Sequence, residues 1–135
     1  MATQIFVNLP VKDLDKSVAF FTELGYSFNP NFTDEKATCM IISDTIFAML
    51  LVEPYFMGFT KKEIPDTSKA AEVTLALSRE SRADVDSIVN MAIKAGGKAH
   101  NEPNDMGFMY SWGYEDLDGH IWEVMWMDPS GMPQE

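Results

Sequence analysis

Asp13-Leu-Asp-Lys-Ser-Val-Ala-Phe-Phe-Thr-Glu-Leu-Gly25 lines up without a gap against Asp84-Val-Asp-Ser-Ile-Val-Asn-Met-Ala-Ile-Lys-Ala-Gly96. The opening Asp, the Asp at the third position, the Val at the sixth and the closing Gly coincide. Each segment carries apolar side chains at helical spacing: Leu14, Val18, Phe21 and Leu24 beside Phe20 in one, and Val85, Ile88, Val89, Ala92 and Ile93 in the other. An Asp ahead of the first turn reads as an N-cap and a Gly after the last turn as a C-cap. Asp44-Thr-Ile-Phe-Ala-Met49 similarly parallels Asp118-Gly-His-Ile-Trp-Glu123. A chain with such an internal repeat is built from one supersecondary unit used twice.

Around these helices the first half reads as strands at Ile5–Leu9 (ended by Pro10), Tyr26–Phe32 (weaker, interrupted by Pro30), Thr38–Ile42 and Ile46–Val52. Glu53–Gly58 reads as a short helix or irregular loop with exposed aromatics, and Lys61–Lys69 as a polar linker. The pattern then restarts with strand Val73–Leu77, helix Asp84–Ala95, a short strand at Lys98–His100, a loop over Asn101–Gly107, and a hairpin of Phe108–Tyr114 and His120–Met127. The tail Pro129–Glu135 has turn composition and is expected to fray. Each half is βαβββ, with module one over about 3–58 and module two over about 71–128. One half cannot bury the inner face of its sheet alone. The expected fold class is therefore α+β, with two βαβββ modules pairing their mixed sheets around a cavity as one unit over residues 1–135.

The apolar fraction of 46% suffices for a packed interior. A net charge of −11 argues against nucleic acid as a partner, since phosphate binding needs a clustered basic surface. The single Cys39, beside Met40, Ile41 and Ile42, reads as a buried thiol in a reducing compartment. No apolar run has the length of a membrane span, and Met1-Ala-Thr-Gln4 has neither a basic start nor an apolar core. The expectation is a cytoplasmic protein with no membrane partner.

In the last strand Ile121, Glu123 and Met125 share one face, and His120, Trp122, Val124 and Trp126 share the other. Glu123 is a carboxylate flanked by large apolar side chains. Such a group must be paired, metal-bound, neutralised or wet.

The doubled βαβββ arrangement resembles the vicinal oxygen chelate superfamily, which includes glyoxalase I, bleomycin-resistance proteins and extradiol dioxygenases. The resemblance rests on Val11-Lys-Asp-Leu-Asp-Lys-Ser17 with Phe20-Phe21 and Leu24-Gly25, on Thr74-Leu-Ala-Leu-Ser78, and on Asp116-Leu-Asp-Gly-His120 leading to Glu123. Its nearest subgroup is that of the predicted lactoylglutathione lyases. The resemblance implies a divalent metal on four side chains, whose positions fall here on Phe6, Met49, Thr74 and Glu123. A phenyl ring cannot coordinate and a thioether is a poor ligand for hard cations, so no metal and no other cofactor is expected. Those residues then read as the lining of a ligand site. Asn8 shares the Phe6 face as a ligand contact or a strand-end polar contact, Tyr110, Trp112 and Met125 read as pocket wall or core, and His120 reads as structural.

Two functions follow from the resemblance. One is binding of a small organic molecule in an apolar cavity around Glu123, without the family metal. The other is a lactoylglutathione lyase-like reaction on an α-carbonyl substrate, with Glu123 as catalytic base. A homodimer is also implied, and the exposed run Tyr55-Phe-Met-Gly-Phe59 gives it an independent motive. The same run is equally suited to covering the chain's own cavity as a lid.

Overall fold

Strand β1 (Ile5–Val11) leads into helix α1 (Leu14–Glu23), and β2 (Ser27–Asn29), β3 (Ala37–Ile41) and β4 (Ile46–Val52) follow, in a computed structural model that describes residues 2–130. The last five residues of the expected frayed tail lie outside the described residues. One unit ends at Asp66 and a second begins at Thr67, within the polar linker. Asp13 caps α1 by accepting from the Lys16 N–H at 3.1 Å, and Gly25 ends it with φ +100°. Pro10 does not end β1. It stays in register opposite Leu51, because β1 is an outer strand of the order β1-β4-β3-β2, and an outer strand tolerates a missing N–H. The weak second strand is cut short where Asn29 caps the turn Pro30–Phe32, its side chain accepting from the Asn31 N–H at 3.0 Å.

The sheet is mixed, with β1 parallel to β4 and the other pairs antiparallel. Leu9, Val11, Met40, Ala48 and Leu50 share a face and are buried. Helix α1, which packs on β4, buries Phe20 and Phe21 in an edge-to-face pair 4.9 Å apart. Ser17, rather than the expected Val18, is the side chain of its middle turn that is buried. After β4 the chain forms the single turn α2 (Glu53–Phe56), then a 3-10 turn over Met57–Phe59.

The second unit repeats the plan with β5 (Thr74–Ser78), α3 (Arg82–Lys94), β6 (Lys98–Ala99), β7 (Asn104–Asp105), β8 (Met109–Glu115) and β9 (Ile121–Met127). Its order β5-β9-β8-β6 matches that of the first sheet, with the same parallel outer pair. The additional β7 pairs with β8 inside the expected loop. It is fixed there by Arg82, which donates to Asp105 (2.5 Å) and to the Gly107 carbonyl (2.7 Å) and lies over the Tyr110 and Trp126 rings. Helix α3 starts earlier than the repeat predicts. Its N-cap is Ser81, accepting from the Asp84 N–H at 3.0 Å, while Asp84 takes a 2.7 Å ion pair from Arg79. The Arg79 guanidinium holds the Asp84 carboxyl below the usual carboxylate range. Trp122, Val124 and Tyr114 are fully buried on one sheet face.

At the β8–β9 turn Asp116 is buried. Its Oδ1 accepts from the Asp118 and His120 N–H groups at 2.9 and 3.0 Å, and its Oδ2 from the Trp122 indole at 3.0 Å. Burial pushes its pKa up, opposed by the nearby His120 and these donors. Gly119 has φ +85°, and a Cβ there would run into the Thr67 carbonyl.

Candidate functional site

On the module-one sheet, Phe6 pairs with Phe47 and Asn8 with Met49, so Phe6, Asn8 and Met49 share the face opposite Leu50. The Phe6 and Phe47 rings stack at 4.9 Å. Two adjoining cavities lie over this face. One, of about 290 Å³, is lined by Asn8, Ala37, Met49 and Leu51 from the sheet, by Asn31–Asp34, and by Tyr55 and Phe59. The other, of about 380 Å³, shares Asn8, Leu51 and Phe59 and adds Phe56 and Thr60. Tyr55 and Phe59 meet edge to face at 5.1 Å, so the aromatic run forms a wall of its own module's cavity.

The local sequence explains the polar rim. Asp34 accepts from the Lys36 and Ala37 N–H groups at 2.8 and 3.1 Å, a side-chain turn that brings the chain into β3. Thr33 is fixed by its 2.7 Å bond to the Asn29 carbonyl and its 2.9 Å contact with Thr38. Asn8 itself makes one long bond, 3.4 Å to the Phe6 carbonyl, which leaves its amide available to a ligand.

On the module-two sheet Thr74 faces Ile121, Ala76 faces Glu123 and Gly113 faces Glu123 from the other side. Thr74, Glu123 and Met125 therefore share a face. The register also shows a symmetry between modules. Phe6 stands two positions from the partner of Met49, just as Thr74 stands two positions from the partner of Glu123.

Tyr110 and Trp112 do not join Glu123. They pair with Trp126 and Val124 on the opposite face, where Tyr110 donates to Asp86 of α3 at 2.6 Å and the Trp112 indole donates to the Asn101 carbonyl at 2.7 Å. That contact with Asp86 pushes the Tyr110 pKa up to about 12, with desolvation adding to it. The hairpin register, 115 opposite 121, was the signal that separates these rings from Glu123.

The surroundings of Glu123 within its own sheet are also more polar than expected. Its side chain is 26% exposed, and His100 Nε2 lies 3.9 Å from its Oε1 while His100 Nδ1 lies 3.8 Å from Glu115 Oε2. Gly113 makes the room: a Cβ there would sit 3.1 Å from Glu123 Oε2. Sequence reasoning left His100 without a role. Its position beside Gly113, set by the 2.9 Å bond from its N–H to the Gly113 carbonyl, requires knowing that β6 pairs with β8. Glu123 lines neither cavity described above.

The metal of the resembling family does not fit the donors in place. Phe6 offers a ring, Met49 a thioether and Thr74 a hydroxyl, leaving Glu123 as the one hard anionic ligand of the set. Among the described residues no three His, Cys, Asp or Glu side chains are grouped to hold a metal ion.

Residues 3–43 match the family model described as bleomycin resistance protein-like N-terminal. Among solved structures, the hypothetical protein SA1046 from S. aureus is 27% identical, with 93% of this chain and 94% of that one covered and a TM-score of 0.78. A glyoxalase/bleomycin resistance protein/dioxygenase family enzyme from Burkholderia phytofirmans PsJN is 16% identical over 93% and 99% of the two chains, with a TM-score of 0.75. The fosfomycin resistance protein FosX from Mesorhizobium loti is 14% identical over 96% of each, with a TM-score of 0.69. No curated protein matches the chain. No helix among the described residues is long and apolar enough to cross a membrane.

Proposed function

From the premise that the chain belongs to the vicinal oxygen chelate superfamily, we propose that it binds a small organic molecule in the cavity over the β1–β4 face of module one. The observation that carries this reading is the cavity of about 290 Å³ in which Asn8 and Met49 are joined by an aromatic wall and a polar rim. That size and mixture of apolar walls with a few placed polar groups suit a ligand pocket. Binding needs no metal, in keeping with the Phe6, Met49, Thr74 and Glu123 set. Ligand-observed NMR against small aromatic compounds tests it. Compounds that bind should lose their signal transfer in Met49→Trp, which fills the cavity from the sheet. Binding that survives this variant places the ligand elsewhere and rejects the assignment.

A second reading has a specific observation in its favour. His100 beside Glu123 gives the carboxylate a companion able to hold or pass a proton, as a lactoylglutathione lyase-like reaction at an α-carbonyl requires. Turnover of the thiol adduct of an α-ketoaldehyde, lost in Glu123→Gln and reduced in His100→Gln, is the expected outcome. Absence of turnover with intact ligand binding leaves the binding function alone.

A further inference from the structure

The polar character of the module-one cavity specifies more than its size. Among the described residues lining its two parts, Asp34 is the only charged one. Its Oδ1 is held by two backbone N–H groups, so the carboxylate is fixed in orientation, and its other oxygen accepts nothing from the described residues. Phe32, Tyr55 and Phe59 surround the same space and remain substantially exposed, at 62%, 38% and 69%. Tyr55 and Phe59 stand at 86° to one another, so two different ring orientations border the cavity. A ring face carries negative potential and attracts ammonium groups at exposed sites as well, by about two- to fivefold in affinity (about 0.5–1 kcal/mol) for each ring.

The chain already supplies a cation to this wall: the Lys36 ammonium lies 5.8 Å from the Tyr55 ring centroid. Lys36 does not line either cavity, and its ammonium is a tethered competitor for the same ring. The net charge of −11 adds a long-range field of the same sign as Asp34.

We infer that this cavity selects a compact organic cation, an alkyl- or arylalkyl-ammonium, with its charge between Asp34 and the Phe32, Tyr55 and Phe59 rings. Asn8 and Asn31 offer amides to any hydroxyl or carbonyl the ligand carries, while Met49 and Leu51 take its apolar body. The inference rests on the reading of this cavity as a binding site, and the experiment separates the two.

Calorimetric titration of the intact protein with benzyltrimethylammonium, benzyl alcohol and benzoate compares one ring with three charges. The cation should bind at least about tenfold more tightly than the alcohol, with benzoate weakest, as expected for an aromatic wall with a carboxylate. Asp34→Asn, which keeps the turn-forming Oδ1, should weaken the cation by about two- to fivefold, the scale of an exposed charge pair, and by more than it weakens benzyl alcohol. Lys36→Met should strengthen the cation by removing its competitor. Alcohol or benzoate binding as tightly as the cation overturns the charge assignment while the cavity stands as a site. Failure of all three probes to bind overturns both. The comparison of probes on the unaltered protein does not depend on any variant folding.

Discussion

Tyr110 and Asp116 show how single side chains in module two were assigned by their partners rather than by their type. Tyr110 donates to Asp86, and its folded pKa of about 12 exceeds the ordinary tyrosine value of about 10. The sign follows from linkage. A raised folded pKa means that the contact's contribution is fully present below the unfolded value and is lost as pH rises through the folded one. Stability should therefore fall between about pH 10 and about pH 12, and Asp86→Ala should move this tyrosine's titration down toward the ordinary range in a spectrophotometric pH series. Asp116 differs in that its carboxylate accepts three hydrogen bonds inside the turn. In Asp116→Asn an amide N–H₂ replaces one acceptor and faces a donor, which should cost about 1–3 kcal/mol at neutral pH in chemical denaturation. A loss within measurement error would show that the turn holds without it. The Asp116-to-His120 segment thus reads as a structural device that delivers Glu123, with His120 buried within the turn.

Helices and strands obey rules that a linear pattern exposes unevenly. The cap of α1 and the glycines ending both helices follow from the repeat, and Gly25 and Gly96 take φ +100° and +110°. The start of α3 does not follow, because Ser81 competes with Asp84 for the cap, and Arg79 draws Asp84 into an ion pair. Ser81→Ala should then cost about 1 kcal/mol, the usual loss for a removed cap hydroxyl. Phe21→Ala should cost about 3–5 kcal/mol, since the ring is buried against Phe20 and Tyr26. A loss below about 1 kcal/mol in denaturant unfolding would mean that α1 presents another side to the core. The strands of both sheets, and the alternation that buries Trp122 and Val124, were readable because period-two patterning survives in a half-buried sheet. Pro10 inside β1, the two-residue β7 and the face of Tyr110 and Trp112 were not. Each depends on which strand lies alongside, and that information sits in a partner distant in sequence. The cavity expected from the sequence was one around Glu123; of the residues lining the cavity over β1–β4, Asn8 was named from its strand face and Met49 from the resemblance, whereas Asn31–Asp34 join them through a turn closed by side-chain hydrogen bonds, which no strand pattern exposes.

For the whole molecule, charge and exposed apolar surface pull in opposite directions. A net charge of −11 on each copy resists association, and the resistance is screened by salt within about 8–10 Å at physiological ionic strength. Against it stand Phe32, Met57 and Phe59, all more than half exposed. Phe59 has an assigned use in the cavity wall, but Met57 lines neither cavity and is 56% exposed. Exposed apolar side chains without a use in the cavity suit an interaction site, and we propose a second copy of the chain as the occupant, as the resemblance to the vicinal oxygen chelate proteins implies. We therefore expect a homodimer at tens of micromolar, tighter at higher salt because the like charges are then screened. Sedimentation velocity at low and high ionic strength measures both properties. Met57→Glu should shift the population to monomer while leaving binding in the module-one cavity intact, since it adds a charge to the contact without touching the lining. A monomer at both ionic strengths would reject the dimer and leave the Tyr55–Phe59 run as the cover of its own cavity alone.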